Sequence, residues 1–264
     1  PASSERDLPK LDILIFAFAK VDGGKVGLDA HSAKQLQRVL ALKRKRPGLE
    51  VDISVGGWGA GGFSEAARSE AGRKQFADTA AAMVVGNGAD GLDVDWEYPS
   101  LDRAGERQHR RYALTVAIAD GPFVDGIDLP AVDKLLDRFN LMTYDFFNSL
   151  TPITGHHAGL YAPPYAPADA RSGDKAVRQF LAAGVAPAKL MLGAAFYGRE
   201  FAEVQADHDG LYQRYGRYVG APSWPQLQHD YFGKRGFVRH WDAEAKAPYL
   251  WNPDTRQLVS YEDP

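Results

Sequence analysis

Residues 90–99 read Asp-Gly-Leu-Asp-Val-Asp-Trp-Glu-Tyr-Pro, DGLDVDWEYP in one-letter code. Asp93, Asp95 and Glu97 stand at every second position, and Leu92, Val94 and Trp96 fill the gaps. Side chains alternate across a strand, so this spacing puts the carboxylates on one face and the apolar groups on the other. At ~3.3 Å of rise per residue, neighbouring acids on that face stand ~6.6 Å apart along the chain, and longer side chains can lean into hydrogen-bonding reach. Strands disfavour Asp and adjacent carboxylates repel, so such a set shares protons instead of ionising independently. A carboxyl kept protonated near neutral pH can act as a general acid. A purely architectural stack of hydrogen-bonded acids accounts for one Asp well and for three aligned acids poorly. The apolar partners argue against an exposed acidic edge strand. A divalent-cation site built of Asp and Glu oxygens stays compatible with the spacing.

Outward from this strand the chain alternates strand and helix. On the N-terminal side, residues 12–18 (DILIFAF) form a near-continuous apolar run, as a buried parallel strand does. A helix with Leu36, Val39 and Leu40 on one face follows, then a strand over 51–55 that leads into Gly56-Gly57-Trp58. Phe76, Ala80, Met83 and Val84 mark a second helix, closed by Gly86-Asn87-Gly88. Beyond the acidic strand come a strand over 112–119, a helix over 129–136 with Pro130 in its first turn, and a strand over 139–144. A loop containing Gly and Pro is expected over 147–172, a length that usually carries function. A helix marked by Val177, Phe180 and Leu181 ends at Gly184, and a strand spans 190–196. Six strands in βα alternation predict a parallel α/β sheet, either a barrel or doubly wound. No Gly-rich phosphate loop follows a strand, so the dinucleotide-binding form has little support. After Gly198 the rhythm breaks, and the Tyr-, Gly-, Asp- and Trp-rich residues 200–252 are expected to form an α+β insertion.

Composition narrows the class. With 264 residues, 31 Lys+Arg against 34 Asp+Glu and a net charge of −3, the chain does not offer a nucleic-acid-binding surface as its main business. The basic run Lys43–Arg46 precedes Pro47 and suits the end of a helix, as a solvated terminus. The absence of cysteine excludes disulfides and thiolate metal sites. No apolar run approaches the ~20 residues of a membrane span. The first residues, PASSER, are not a signal peptide, so the expectation is either a cytoplasmic protein or a signal outside this chain. Five Trp, twelve Tyr and thirteen Phe supply aromatic surface for packing or for stacking on a ligand. His156 and His157 are expected on a loop surface, because no carboxylates at matching spacing surround them. Trp224, Trp241 and Trp251 can serve as sugar platforms or as packing within the insertion.

The stretch DGLDVDWE resembles the DxxDxDxE signature of family 18 glycoside hydrolases, the chitinases. Ser54-Val-Gly56-Gly57-Trp58 resembles the family's SxGG segment, and Met142-Thr-Tyr144-Asp145-Phe146 its MxYD segment. Ala195-Phe-Tyr197-Gly-Arg199 resembles the segment that closes its seventh strand, and Trp241-Asp242 with Ala247–Trp251 is similar to the small α+β domain of one branch. Four motifs in family order cover most of the chain. The resemblance implies a (β/α)₈ TIM barrel with an α+β insertion after strand 7. On that frame, residues 1–199 supply barrel strands 2 to 7, residues 200–252 the insertion, and residues 253–264 a return towards the barrel. The family's strands 1 and 8 have no counterpart here, which would leave two bare sheet edges, and the segment between Pro99 and Tyr112 is short for a helix with its loops.

The resemblance also implies roles. Glu97 would donate the proton to the glycosidic oxygen, Asp95 would orient the substrate's N-acetyl group, and Asp93 would share a proton with Asp95. Tyr144 and Asp145 would contact the acetamide, with Met142 on the floor of that pocket. Ser54, with Gly56 and Gly57, would support the acids. Trp58, Tyr98, Tyr197 and Arg199 would line the sugar cleft. The implied activity is a secreted, monomeric, cofactor-independent chitinase acting on chitin or chito-oligosaccharides. Retaining catalysis would use the substrate acetamide as nucleophile, with no second carboxylate attacking. Alternatives are an endo-β-N-acetylglucosaminidase, a chitinase-like sugar-binding protein that does not cut, and, more distantly, a metal-dependent enzyme.

Overall fold

The computed structural model describes residues 11–97 and 113–263, and within these the chain divides into two compact units. The first holds the described residues up to 118 together with 123–140 and 185–191; the second holds 119–122, 141–184 and the residues from 192 on.

The first unit is built on a seven-stranded sheet of order β2-β1-β3-β4-β5-β6-β7. Its strands are β1 (Ile13–Asp22), β2 (Lys25–Gly27), β3 (Glu50–Gly56), β4 (Gly91–Asp95), β5 (Ala113–Ile118), β6 (Arg138–Leu141) and β7 (Leu190–Leu192). β1, β3, β4 and β5 pair in parallel, whereas β2 folds back antiparallel on β1 through Gly23-Gly24. The six strands expected from the βα rhythm are all present, and β2 is a hairpin arm that the periodicity did not mark. Among the described residues the sheet is open, so no closed barrel is formed. Helix α1 (Ala30–Leu40) starts at Asp29, whose Oδ1 accepts from the Ser32 amide at 2.7 Å. A short helix α2 (Phe63–Ala67) leads into α3 (Glu70–Asn87), which Ser69 caps at its start and left-handed Gly88 at its end.

β3 shows why the acids lie where they do. Val51, Ile53 and Val55 are fully buried with Leu36 of α1 and Ala80, Met83 and Val84 of α3. Fully burying each such aliphatic side chain contributes about 1.5–3 kcal/mol, enough to fix which face of the strand meets the helices. Leu92 and Val94 of β4 and Trp96 just after it join the same core, and Trp96 stacks on Phe63 at 5.3 Å between ring centroids. Period-2 alternation then sends Asp52, Ser54 and Gly56 of β3, and Gly91, Asp93 and Asp95 of β4, to the opposite face. The parallel register aligns Ser54 with Asp93 and Thr115, and Gly56 with Asp95. The basic run is more than a solvated helix end: Lys43 pairs with Asp90 at 2.5 Å and Arg46 with Asp12 at 2.7 Å, at the entries of β4 and β1.

Several elements are shorter than the periodicity suggests. β4 ends at Asp95, two residues before Glu97; β6 ends at Leu141, before Met142; and β7 covers only Leu190–Leu192. Helix α4 (Leu129–Asp133) is a little over one turn, capped by Asp128.

The second unit carries α5 (Gly173–Ala182), with Ser172 at its N-cap, and a five-stranded antiparallel sheet of order β10-β11-β12-β8-β9. Those strands are β8 (Arg199–Ala202), β9 (Arg217–Gly220), β10 (Val238–Asp242), β11 (Ala247–Asn252) and β12 (Gln257–Ser260). β12 sits between β11 and β8, so the chain after residue 252 contributes a central strand to this sheet. One core gathers Phe201, Val204, Leu211, Tyr249, Trp251 and Leu258; another gathers Leu227, Tyr231, Phe237, Leu250, Val259 and Tyr261.

Candidate active site

The first unit supplies the carboxylate row. Asp93 is 2% exposed, and both its oxygens are taken by neutral donors: Ser54 Oγ donates to Oδ2 at 2.7 Å, Thr115 Oγ1 to Oδ1 at 2.5 Å and Asn140 Nδ2 to Oδ1 at 3.0 Å. Among the described residues such a carboxylate is fixed in place by neutral donors. Asp95 is also buried, and its Oδ1 has no hydrogen-bond partner among the described residues. Burial raises its pKa to about 7, reinforced by the charges of Glu97 and Asp93 and by a hydrogen bond with Glu97. Glu97 follows the strand end and is half-buried. Asp93 is therefore held from the side, while burial and its acidic neighbours keep a proton on Asp95 up to about pH 7, next to Glu97.

Gly56 makes the approach of β3 to this row possible. Its φ is +125°, and a Cβ there would lie 2.0 Å from the Asp95 carbonyl oxygen. Gly57 follows at φ +96°, and its amide donates to the same oxygen at 3.0 Å. Trp58, next in the chain, is 76% exposed. Tyr98 lies outside the described residues.

The second unit supplies a separate constellation around Asp145. Met142 and Tyr144 are half-buried in the turn after β6, and Asp145 itself has a left-handed φ of +59°. Arg199 grips its carboxylate with a fork, Nε to Oδ1 at 2.7 Å and Nη2 to Oδ2 at 2.5 Å, while Nη1 donates to Tyr218 Oη at 2.7 Å. His157 Nδ1 stands 3.6 Å from Asp145 Oδ1. Burial would raise the Asp145 pKa, but facing His157 and Arg199 outweigh it and hold the carboxyl well below the usual range. The Tyr197 ring lies edge-on to Tyr144 at 6.3 Å and under the Arg199 guanidinium at 5.1 Å. Burial, then the negative charge of Asp145, pushes the Tyr197 phenol far above its ordinary value, so it stays a neutral donor.

The described residues named from the sequence divide between the units: Ser54, Gly56, Gly57, Trp58, Asp93, Asp95 and Glu97 lie in the first, and Met142, Tyr144, Asp145, Tyr197 and Arg199 in the second. The structure corrects the expectation for the two histidines. His156 and His157 are 3% and 0% exposed, and His156 Nε2 meets Asp242 Oδ2 at 2.8 Å. Trp251 and Trp224 are packing residues, the former in the sheet core and the latter against Phe232 and Tyr261; Trp241 stays half exposed. Thr115, Asn140, His157 and Tyr218 escaped the sequence reading. Thr115 and Asn140 could have been found by carrying the period-2 rule onto β5 and β6, where both fall on the face of the acids. No local signal marks His157 or Tyr218. Among the described residues no group of three or more His, Asp or Glu side chains is arranged to hold a metal ion, and no helix is long and apolar enough to cross a membrane.

The family model for glycosyl hydrolases family 18 matches residues 2–264. Chitinase A1 of Niallia circulans is 31% identical over 277 residues, covering 89% of this chain and 40% of that protein. Chitinase 1 of Aphanocladium album is 32% identical over 264 residues, covering 90% of this chain and 61% of that protein. The chain thus spans between 40% and 61% of the length of these two relatives. Among solved structures, a family 18 N-acetylglucosaminidase from Paenibacillus barengoltzii matches with a TM-score of 0.88 at 36% identity, covering 98% of this chain and 83% of that one. Such neighbours imply a (β/α)₈ barrel-like fold for this chain, with α/β content.

Proposed function

This chain belongs to the glycosyl hydrolases of family 18, and from that premise we propose that it is a chitinase. It hydrolyses β-1,4-linked N-acetylglucosamine polymers or oligomers with retention, using the substrate's acetamide as nucleophile. The observation that carries this reading is Asp95, a buried carboxyl raised to about 7 between Asp93 and Glu97. A row that retains a proton near neutrality suits acid catalysis followed by stabilisation of a cation.

In the proposed first step Glu97 gives its proton to the glycosidic oxygen as the bond to C1 breaks. The acetamide carbonyl oxygen of the same sugar attacks C1 and closes an oxazolinium ring. Asp95 accepts the acetamide N–H and faces the developing positive charge, and Asp93 takes up a share of the Asp95 proton. Glu97, now a carboxylate, removes a proton from water as the water oxygen attacks C1. The ring opens, the acetamide is restored, and two inversions leave the β configuration. Tyr144 and Asp145 are assigned to the acetamide, Met142 to the floor beneath it, and Trp58, Tyr98, Tyr197 and Arg199 to the sugar rings. The antiparallel sheet from β8 to β12 is assigned as the α+β insertion that the resemblance calls for. An insoluble polymer has to be met outside the cell, and we place the enzyme there.

A second reading, release of single N-acetylglucosamine units, is favoured by the 36% identity to the Paenibacillus barengoltzii N-acetylglucosaminidase. Product lengths from a chito-hexaose separate the two: monomer alone from the first time points supports the second reading. Glu97→Gln tests both. The amide keeps the shape without the proton, so turnover should drop roughly 10²- to 10⁴-fold while oligosaccharide binding by calorimetry persists. Near-wild-type turnover removes Glu97 from the mechanism.

A further inference from the structure

Beside the Asp145 turn sits a histidine that the mechanism above leaves unused. The His157 side chain is fully buried; neither ring nitrogen meets full hydrogen-bonding geometry among the described residues, and the Asp145 carboxylate and the Tyr197 backbone are the polar groups that act on the ring. An unpaired polar group in the interior costs free energy that a leucine of similar size would not. The ring packs against Tyr197 at 5.3 Å between centroids and directs Nδ1 at Asp145 Oδ1, 3.6 Å away and just outside hydrogen-bonding distance.

The backbone around it is fixed on both sides. The His157 amide donates to Ser260 Oγ of β12 at 2.8 Å, and its carbonyl accepts from the amide of Phe146, the residue after Asp145, at 3.0 Å. His156 is clamped by Asp242 at 2.8 Å, and Asp242 also accepts from the amides of Glu244 and Ala245. Only a small rotation of the ring or of the carboxylate separates His157 from a hydrogen bond to Asp145. Burial lowers the His157 pKa and keeps the imidazole neutral, so it brings a donor and no second positive charge beside Arg199.

We propose that His157 is a positioning residue for Asp145: its neutral Nδ1–H takes up Asp145 Oδ1 when substrate draws the carboxylate away from the Arg199 fork. Asp145 then has a donor in both positions, and the anion is presented to the acetamide without being released into an unpaired state. This rests on the assignment of Asp145 to the acetamide.

Two measurements on the whole protein test it. Nitrogen-15 NMR of histidine-labelled protein should find His157 as the Nδ1–H tautomer, and Asp145→Asn should shift its Nδ1 resonance while leaving His156 unmoved. An Nε2–H tautomer, or indifference to Asp145→Asn, overturns the proposal. In kinetics, His157→Leu should lower kcat about 10- to 100-fold with KM within about threefold. His157→Asn, whose side-chain amide replaces Nδ1–H, should recover most of the loss at unchanged melting temperature. Equal loss in the Leu and Asn variants overturns the proposal. If the wild type cleaves no N-acetylglucosamine oligomer, the functional assignment of Asp145 falls, and the NMR arm still decides whether His157 is its donor.

Discussion

Asp95 is where the proposed chemistry and the stability of this protein meet. Its folded-state pKa of about 7 lies above its unfolded value of about 3.9. The folded state therefore holds the proton more tightly between those values, and stability from this group falls as pH rises from ~4 to ~7. Asp95→Asn removes that titration. Relative to the wild type, the variant should gain up to about 1.4 kcal/mol per pH unit across that window and nothing further above it. Denaturant melts of both proteins at pH 4, 5.5, 7 and 8 give the difference directly, and a flat difference would mean that Asp95 ionises like a surface carboxyl. On the proposed mechanism the same substitution should reduce turnover roughly 10²-fold, since it removes the anion assigned beside the oxazolinium. A variant that is more stable at neutral pH and less active is the signature of a site kept strained for function.

At the scale of elements, β3 and β4 form one device. The apolar faces of both strands pack against α1, α2 and α3, and their register brings Ser54 to Asp93 and Gly56 to Asp95. A single added methyl should break it. Gly56→Ala needs a β-carbon 2.0 Å from the Asp95 carbonyl oxygen at a φ of +125°, a region that disfavours every residue but glycine. The neighbouring atom is backbone, so the strands have to separate. We expect a loss of roughly 2–4 kcal/mol and a fall in activity larger than the fall in folded fraction. Urea melts combined with activity per folded molecule check this; a mild change in both would show that β3 can shift. The acidic strand itself was legible in the sequence because its period of two needs no tertiary information. Its length was not. Glu97 continues the alternation in sequence, but the ladder stops at Asp95, since β5 pairs only as far as Val94 and β3 ends at Gly56. Likewise β7 was overestimated, because an apolar run gives no sign of where hydrogen-bonded partners end.

For the whole molecule, the proposed retaining, acetamide-assisted mechanism makes a prediction that no local measurement can replace. Fully deacetylated chitosan and cellulose oligomers lack the internal nucleophile and should not be cleaved. Proton NMR of fresh product from N-acetylated substrate should show the β anomer first, and a thiazoline analogue of the cyclised intermediate should inhibit competitively. Early α product, or efficient cleavage of glucosamine-only polymer, would assign the acids of β4 a different chemistry. A second buried acid titrates with the same sign as Asp95. Asp52, fully buried and raised to about 7 by burial and by Glu50, is only partly offset by Arg138 at 2.9 Å. The Asp52 contribution should thus still decline towards neutral pH in the Asp95→Asn variant, opposed by buried His157, whose lowered pKa makes its own contribution rise with pH.

The sequence by itself determined the βα alternation, the face on which Asp93 and Asp95 stand, and the motif order that marks the family. Those features are periodic or contiguous, and periodicity is a property of the chain alone. Tertiary structure decided which donors hold each acid. Thr115 and Asn140 reach Asp93 across 22 and 47 residues of sequence, and Arg199 reaches Asp145 across 54. It also decided that His156 and His157 are interior, because their burial depends on β10 and β12 closing over them from about 90 to 100 residues away. A polar residue in a loop looks the same in sequence whether water or a carboxylate will face it; only the packing of distant strands chooses between them.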